Sequence, residues 1–414
     1  MTSDSLQALT RTSHASHAAH ADHDSLPGAA RIILRMLACL KHGALRLTMP
    51  DGACRTFGDG SAPVALELKN WNLCGAALRS GDIGFASSFI AGDWSTDNLP
   101  ALIELLVRNR EQIESLVYGS WWGSLLYRLK HLLNRNSRAG SRKNIHAHYD
   151  IGNAFYQLWL DPTMTYSAGI FRPEDGGDLQ LAQMAKYRRI IAQLRLQPDA
   201  LVLEIGCGWG GFAETAVREA QAHVTGLTLS QEQLDYAQRR VADAGFANEA
   251  HLQLRDYRDC NGQYDAIASI EMFEAVGERY WDSYFDCLAR NLKRGGRACV
   301  QTIVIDDALF GRYRKGSDFI QQYIFPGGML PSPSAFRLRA ALHGLCVEDE
   351  FSFGMDYAET LRQWRAAFHA RRAEVEAQGF DRAFMLTWEF YLAYCEAAFR
   401  AGNTDVMQFT LVKS

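Results

Sequence analysis

Three groups of residues in this chain have the types and spacing to do chemistry. The first is Leu201-Val-Leu-Glu-Ile-Gly-Cys-Gly-Trp-Gly-Gly211. An apolar run long enough for a buried parallel strand leads into Gly206, Gly208 and Gly210, and Phe212 to Ala220 reads as a helix. Glycine lets a backbone take φ > 0 and come close to a ligand, and a helix start presents free N–H groups. The pattern is acidic-x-Gly-x-Gly-x-Gly, with Glu204 two residues before the first glycine, not the dinucleotide fingerprint G-x-G-x-x-G. It makes a nucleotide-type cradle. The second group is a set of polar side chains just after apolar runs: Thr228, Ser230 and Gln233, then Asp256 and Tyr257, then Glu271 to Glu274. The third is scattered: Tyr166 and Ser167, Gln301, Tyr357 and Cys395.

These residues need a frame that brings them together. From Leu201 onward, strand and helix patterns alternate, as in an open parallel sheet. The predicted strands are 201–205, 223–230, 250–254, 264–270 and 297–305, with helices at 212–220, 231–244 and 280–292 between them. Ligands of such sheets sit at the carboxyl ends of the strands, where the first two groups fall.

Composition sets the outer limits. The chain has 414 residues, enough for two domains, and its 48% hydrophobic content supports a normal core. A net charge of -4 gives no nucleic-acid footprint. Nine cysteines without a C-x-x-C pair read as free thiols in a reducing, cytoplasmic setting, with no metal site. No apolar run reaches the roughly 18 residues of a membrane span. Residues 1–28 read as a disordered tail in which His14, His17, His20 and His23 recur every three residues. Residues 29–117 read as a small α+β domain for lipid or dimer contacts. Its helices at 72–94 break at Gly81 and Gly92. Residues 118–147 read as a linker in which Arg128, Lys130 and Arg135 alternate with Trp121, Trp122 and Tyr127, a mixture suited to an anionic lipid surface. The remainder, 148–414, is the main domain.

The glycine pattern resembles motif I of the S-adenosylmethionine (SAM) dependent methyltransferases. Three further stretches narrow it: His148 to Tyr156 with Leu160 to Ser167, Glu271-Met-Phe-Glu-Ala-Val-Gly277, and Tyr323-Ile-Phe-Pro-Gly-Gly-Met-Leu-Pro-Ser332. With them the chain resembles the cyclopropane-fatty-acyl-phospholipid synthases and mycolic acid cyclopropane synthases over residues from about 29 to 410. The resemblance implies a class I (Rossmann-like) α/β methyltransferase domain with lipid-covering insertions beside a small N-terminal α+β domain. SAM is the implied cofactor, held by Tyr166, Ser167, Glu204, Gly206, Gly208, Gly210, Thr228, Ser230, Gln233, Asp256 and Tyr257. No acid follows the second strand for a ribose, so hydroxyls take that place. The implied partners are unsaturated phospholipids at a membrane surface, met by a peripheral cytoplasmic enzyme, and a homodimer is a candidate assembly.

In the family an alkene takes the SAM methyl, and the carbocation then loses a proton. A dry aromatic pocket and a bicarbonate base held by a Glu, a His and a Tyr are implied. Glu274 and Tyr357 match, and Cys395 matches a family cysteine. Gln301 stands where the family has His, and Ala168 where it often has Cys. Gln donates a hydrogen bond to an anion but never becomes cationic. The expected outcome is a cyclopropane ring, because the resemblance spans both domains, and the departures keep a methyl-branched or methylene product as the alternative.

Overall fold

The computed structural model describes residues 26–60, 62–114 and 151–413. The histidine-bearing tail, the basic-aromatic linker and His148 to Asp150 lie outside them.

The N-terminal part is built on a four-stranded sheet of order β2-β1-β3-β4. Its strands are β1 (Ala44–Thr48), β2 (Cys54–Gly58), β3 (Val64–Leu68) and β4 (Trp94–Ser95). Three helices cover it: α1 (Gly28–Leu37), α2 (Asn72–Ala91) and α3 (Leu99–Arg108). The predicted break in α2 is present: Gly81 has φ 57 and ψ -129, and Gly92 closes the helix in the left-handed region.

The main sheet has seven strands in the order β10-β11-β9-β8-β5-β6-β7. They are β5 (Leu201–Ile205), β6 (His223–Thr228), β7 (Ala250–Leu254), β8 (Tyr264–Ile270), β9 (Leu292–Ile305), β10 (Leu345–Ser352) and β11 (Thr404–Lys413). The β7-β6-β5-β8-β9 portion is parallel, as predicted. Two antiparallel strands extend it: β11 runs between β9 and β10 and pairs with both. The sequence reading stopped at β9 and did not foresee them. β5 lies between β6 and β8, so the chain crosses over on either side of it. This reversal opens the crevice at the carboxyl ends of the strands.

Flanking helices include α4 (Leu179–Leu194), α5 (Gly211–Ala220), α6 (Gln231–Asp243), α7 (Trp281–Asn291), α8 (Gly354–Ala370) and α9 (Arg382–Arg400). α9 joins the two parts. Its Phe390 ring packs at 6.0 Å from Phe85 and 5.7 Å from Phe89, both on α2. One buried cluster therefore runs from Leu45 and Leu66 in the small sheet to Trp364, Trp388 and Tyr391 on α8 and α9.

Candidate active site

The glycine turn follows directly from β5. Gly206, Gly208 and Gly210 have φ of 87, 50 and 81. The N–H groups of Gly206 and Cys207 both donate to the Leu227 carbonyl, which ties the turn to β6. A Cβ on Gly206 would lie 2.9 Å from the Met272 side chain, and one on Gly211 would lie 2.7 Å from the Tyr187 hydroxyl. The turn is thus closed to side chains on the protein side and open on the other. The Trp209 indole N–H donates to Asn153 (2.6 Å), which anchors the turn to the Ile151 to Tyr156 stretch.

A cavity of about 1070 Å³ lies over this turn. Tyr166, Ser167, Glu204, Gly206, Gly208, Thr228, Gln233 and Tyr257 all line it, as do Glu274, Tyr357 and Cys395. Four expected site residues do not. Ser230 is fully buried and accepts from the Gln233 N–H, so its hydroxyl caps α6. Asp256 is paired with Arg258 and caps the turn after it; Arg255, Tyr257 and Arg258 reach the cavity instead. Gly210 faces Ala237 of α6. Gln301 lies behind the wall, fully buried. Among the aromatic residues of the motif stretches, Tyr166 and Phe325 line the cavity, as does Tyr357, while Phe155, Tyr156 and Phe273 pack in the core.

Glu204 supports a cationic ligand here. It is buried, and its Oε2 has no hydrogen-bond partner within the protein. Burial raises its pKa well above the usual carboxylate value, against the pull of Arg240 and the Ala213 N–H. The positive-φ turn and this orphaned carboxyl oxygen together fit a ligand with an ammonium group and a sugar.

Sequence reasoning missed the centre of the site. Glu271 follows β8 at φ 47, a strained position for a residue with a Cβ. Its Oε1 accepts from the Ala168 N–H (2.8 Å) and Gln301 Nε2 (2.8 Å), and its Oε2 accepts from the Tyr357 hydroxyl (2.6 Å). Two of the groups expected to hold a free bicarbonate, Gln301 and Tyr357, therefore hold a side-chain carboxylate together with the Ala168 N–H. The orientation of Gln301 follows from its neighbours. Arg189 can only donate, and it donates to Gln408 Oε1 (2.7 Å). The Gln408 amide then donates to Gln301 Oε1 (2.9 Å), which leaves the Gln301 NH₂ facing Glu271.

Glu274 lies three residues on. Its Oε1 accepts from the Ile303 N–H and from the Thr302 hydroxyl (3.0 Å), and its Oε2 is unpartnered. Burial, and then the Glu271 charge, push it up to about 8, so it is a neutral acid at pH 7. Glu271 is also raised by burial, though Lys186, Tyr357, Ala168 and Gln301 oppose the shift. The two neighbouring carboxyls thus sit among different partners, Glu271 on three donors and Glu274 on two.

Lys186 of α4 stands near Glu271, fully buried. Its Nζ donates to Ser167 Oγ (2.5 Å) and Gln183 Oε1 (2.7 Å), and Gln183 in turn donates to the Ser167 carbonyl (2.8 Å). Burial lowers its pKa to about 7, while Glu271, Asp161 and Glu204 hold it up. Gln183, Lys186 and Tyr187 share a face with Ala182 and Ile190, and that spacing was the available signal. Cys395 has its thiol pushed far up by burial, with the Asp318 charge adding, so it presents no thiolate. Among the described residues, no His, Cys, Asp and Glu cluster is suited to a metal ion. No described helix is long and apolar enough to cross a membrane.

Comparison with known proteins gives a consistent picture. Residues 136–409 match the family described as mycolic acid cyclopropane synthetase. A tuberculostearic acid methyltransferase of Mycobacterium tuberculosis is 39% identical, covering 90% of this chain and 88% of that protein. The cyclopropane-fatty-acyl-phospholipid synthase of Escherichia coli is 33% identical over 84% of this chain and 88% of its own. A solved mycolic acid cyclopropane synthase complexed with SAH and CTAB superposes with a TM-score of 0.62 at 34% identity, covering 66% of this chain and 98% of that one.

Proposed function

The chain belongs to the mycolic acid cyclopropane synthetase family of SAM-dependent methyltransferases, and from that premise we propose that it methylates the double bond of an unsaturated acyl chain in a phospholipid, using its own Glu271 as base. The product is a methyl-branched alkene rather than a cyclopropane. The observation that carries this is the Glu271 carboxylate seated on Ala168, Gln301 and Tyr357.

When bound, SAM supplies an electrophilic methyl group. Glu204, the glycine turn, Thr228 and Gln233 hold and orient it. An alkene is a weak nucleophile, so alignment within the cavity lowers much of the barrier. Tyr166, Tyr391, Tyr357 and Phe325 line that cavity, exclude water and offer ring faces to the substrate cation. Tyr166 and Tyr391 are locked by a hydroxyl contact of 2.6 Å, so their rings are preset. Glu271 accepts a proton from a carbon beside the cationic centre, and that C–H electron pair becomes the double bond of the branched alkene. Glu274, being neutral, adds no second negative charge that could capture the cation.

Two facts support branching over ring closure. The set that the family resemblance implies for ring closure is altered here at Gln301 and at the anion seat. A relative matched along 90% of this chain is named as a tuberculostearic acid methyltransferase. The E. coli relative's name supports a phospholipid substrate. The test is to incubate the protein with SAM and vesicles of monounsaturated phospholipid, then to analyse the fatty esters by mass spectrometry. A gain of one CH₂ in a product that takes up hydrogen is expected. A product that resists hydrogenation is a ring and refutes branching. Absence of any gain refutes acyl methylation.

A further inference from the structure

The cavity over the glycine turn does not end at the main sheet. It continues into the N-terminal part, where Leu37, Leu66, Leu73, Ala77, Ile103 and Val107 line it. These come from α1, β3, α2 and α3, so the small sheet and its helices wrap around this end. Leu66, Leu73 and Ile103 are core residues that nevertheless face the empty space. The walls they form are apolar. Arg79, Ser80, Asp82 and Arg110 also line this end, but against the six apolar residues a polar headgroup would lose its water, whereas a hydrocarbon chain gains by the same burial.

The space is also larger than the donor requires. Sites for one drug-sized ligand span roughly 300–1,000 Å³, and this single cavity of about 1070 Å³ serves both the donor cradle and the acyl site. The apolar end is fixed in place. Asp82, one residue after the α2 break, accepts from the Phe319 N–H (3.1 Å) and the Tyr394 hydroxyl (2.9 Å). With Phe390 packed on Phe85 and Phe89, α2 cannot move independently of α9. The family match begins at residue 136, so these walls lie outside it.

We propose that the N-terminal part is a wall of the substrate pocket: its interior holds a length of the lipid's acyl chain beyond the reacting double bond. It thereby selects which chain length and double-bond position present to Glu271. This rests on the acyl-chain reading above.

The direct test uses vesicles of a monounsaturated phospholipid with a diazirine at the chain terminus. The intact protein is irradiated with this lipid and SAM, and peptides are mapped by mass spectrometry. Adducts on residues 33–37, 66–83 or 103–107 are expected. Turnover of the lipid with adducts only in residues 151–413 overturns this inference and leaves the methylation reading standing. Neither turnover nor adducts overturns both. Two variants give an independent check. Ala77→Phe should lower kcat/KM on an oleoyl chain about tenfold relative to a shorter monounsaturated chain, with SAM affinity unchanged. Leu73→Ala should shift preference toward longer chains, and it decides the question if the first variant fails to fold. Equal losses on every chain length in either variant would refute chain selection.

Discussion

Replacing Glu271 with glycine should convert an enzyme with a built-in base into one that needs a borrowed one. The backbone at this position has φ 47, so glycine fits it and relieves roughly 1–3 kcal/mol of local strain. Against that gain, the Ala168 N–H, the Gln301 amide and the Tyr357 hydroxyl lose their acceptor. Each buried donor left unmet costs roughly 1–3 kcal/mol unless water or an anion enters. The variant should fold but be less stable. Turnover should fall by about 10²–10⁴-fold, the usual contribution of a positioned base. Added bicarbonate should then restore part of the activity, because three donors still converge on a vacated carboxylate seat. It should also raise the Tm of the variant by binding the folded state alone. Glu271→Gln is the control: its amide fills the seat, accepts no proton and should not be rescued. The assay is SAM-dependent methylation of vesicle lipid in carbon-dioxide-free buffer, with and without bicarbonate. Full parental activity of Glu271→Gly in that buffer refutes Glu271 as base. An equal bicarbonate response in parent and variant refutes the seat.

Other consequences are more local. Folding raises the Glu274 pKa from 4.5 to about 8, so the folded chain keeps a proton that the unfolded chain releases. Stability from this group is complete below 4.5 and is lost as pH rises through about 8. Glu274→Gln stays neutral throughout, and its Tm should fall less steeply than the parent's over that interval. A parallel decline in both proteins would show that Glu274 is not the group involved. Cys395→Ala should keep parental turnover within a factor of about three, since a buried neutral thiol is no nucleophile. A collapse of activity with an unchanged melting curve would reverse that view. Gly206→Ala places a Cβ 2.9 Å from Met272 at φ 87, so SAM affinity by calorimetry should weaken at least about tenfold. Unchanged affinity would mean that the turn does not form the cradle.

The parallel half of the fold was legible because its strands are apolar runs between helical patterns, and the first of them exits into glycine. Leu201 to Ile205 and Tyr264 to Ile270 announce themselves in this way. β11 was not legible. Thr404 to Lys413 lies far along the chain from β9, and only the register pairing Gln408 with Gln301 shows why it is there. The same gap hid Glu271. Glu271 stood within the motif that gave Glu274, yet its meaning depends on donors at 168, 301 and 357, which no spacing relates. Lys186 was not among the expected site residues, and only its burial against Ser167 brings it forward. Ser230 and Asp256 erred in the other direction: each had the right chemistry and position, but a helix cap or an arginine occupied it locally.

The positive φ of Glu271 bears on how such enzymes diverge. Glutamate and glycine codons differ at a single nucleotide, and this backbone already has a shape that glycine prefers. One point mutation could therefore exchange a covalently attached base for a diffusible one without refolding the loop. Along that route, dependence on dissolved carbon dioxide becomes a trait that a lineage can gain or lose in one step.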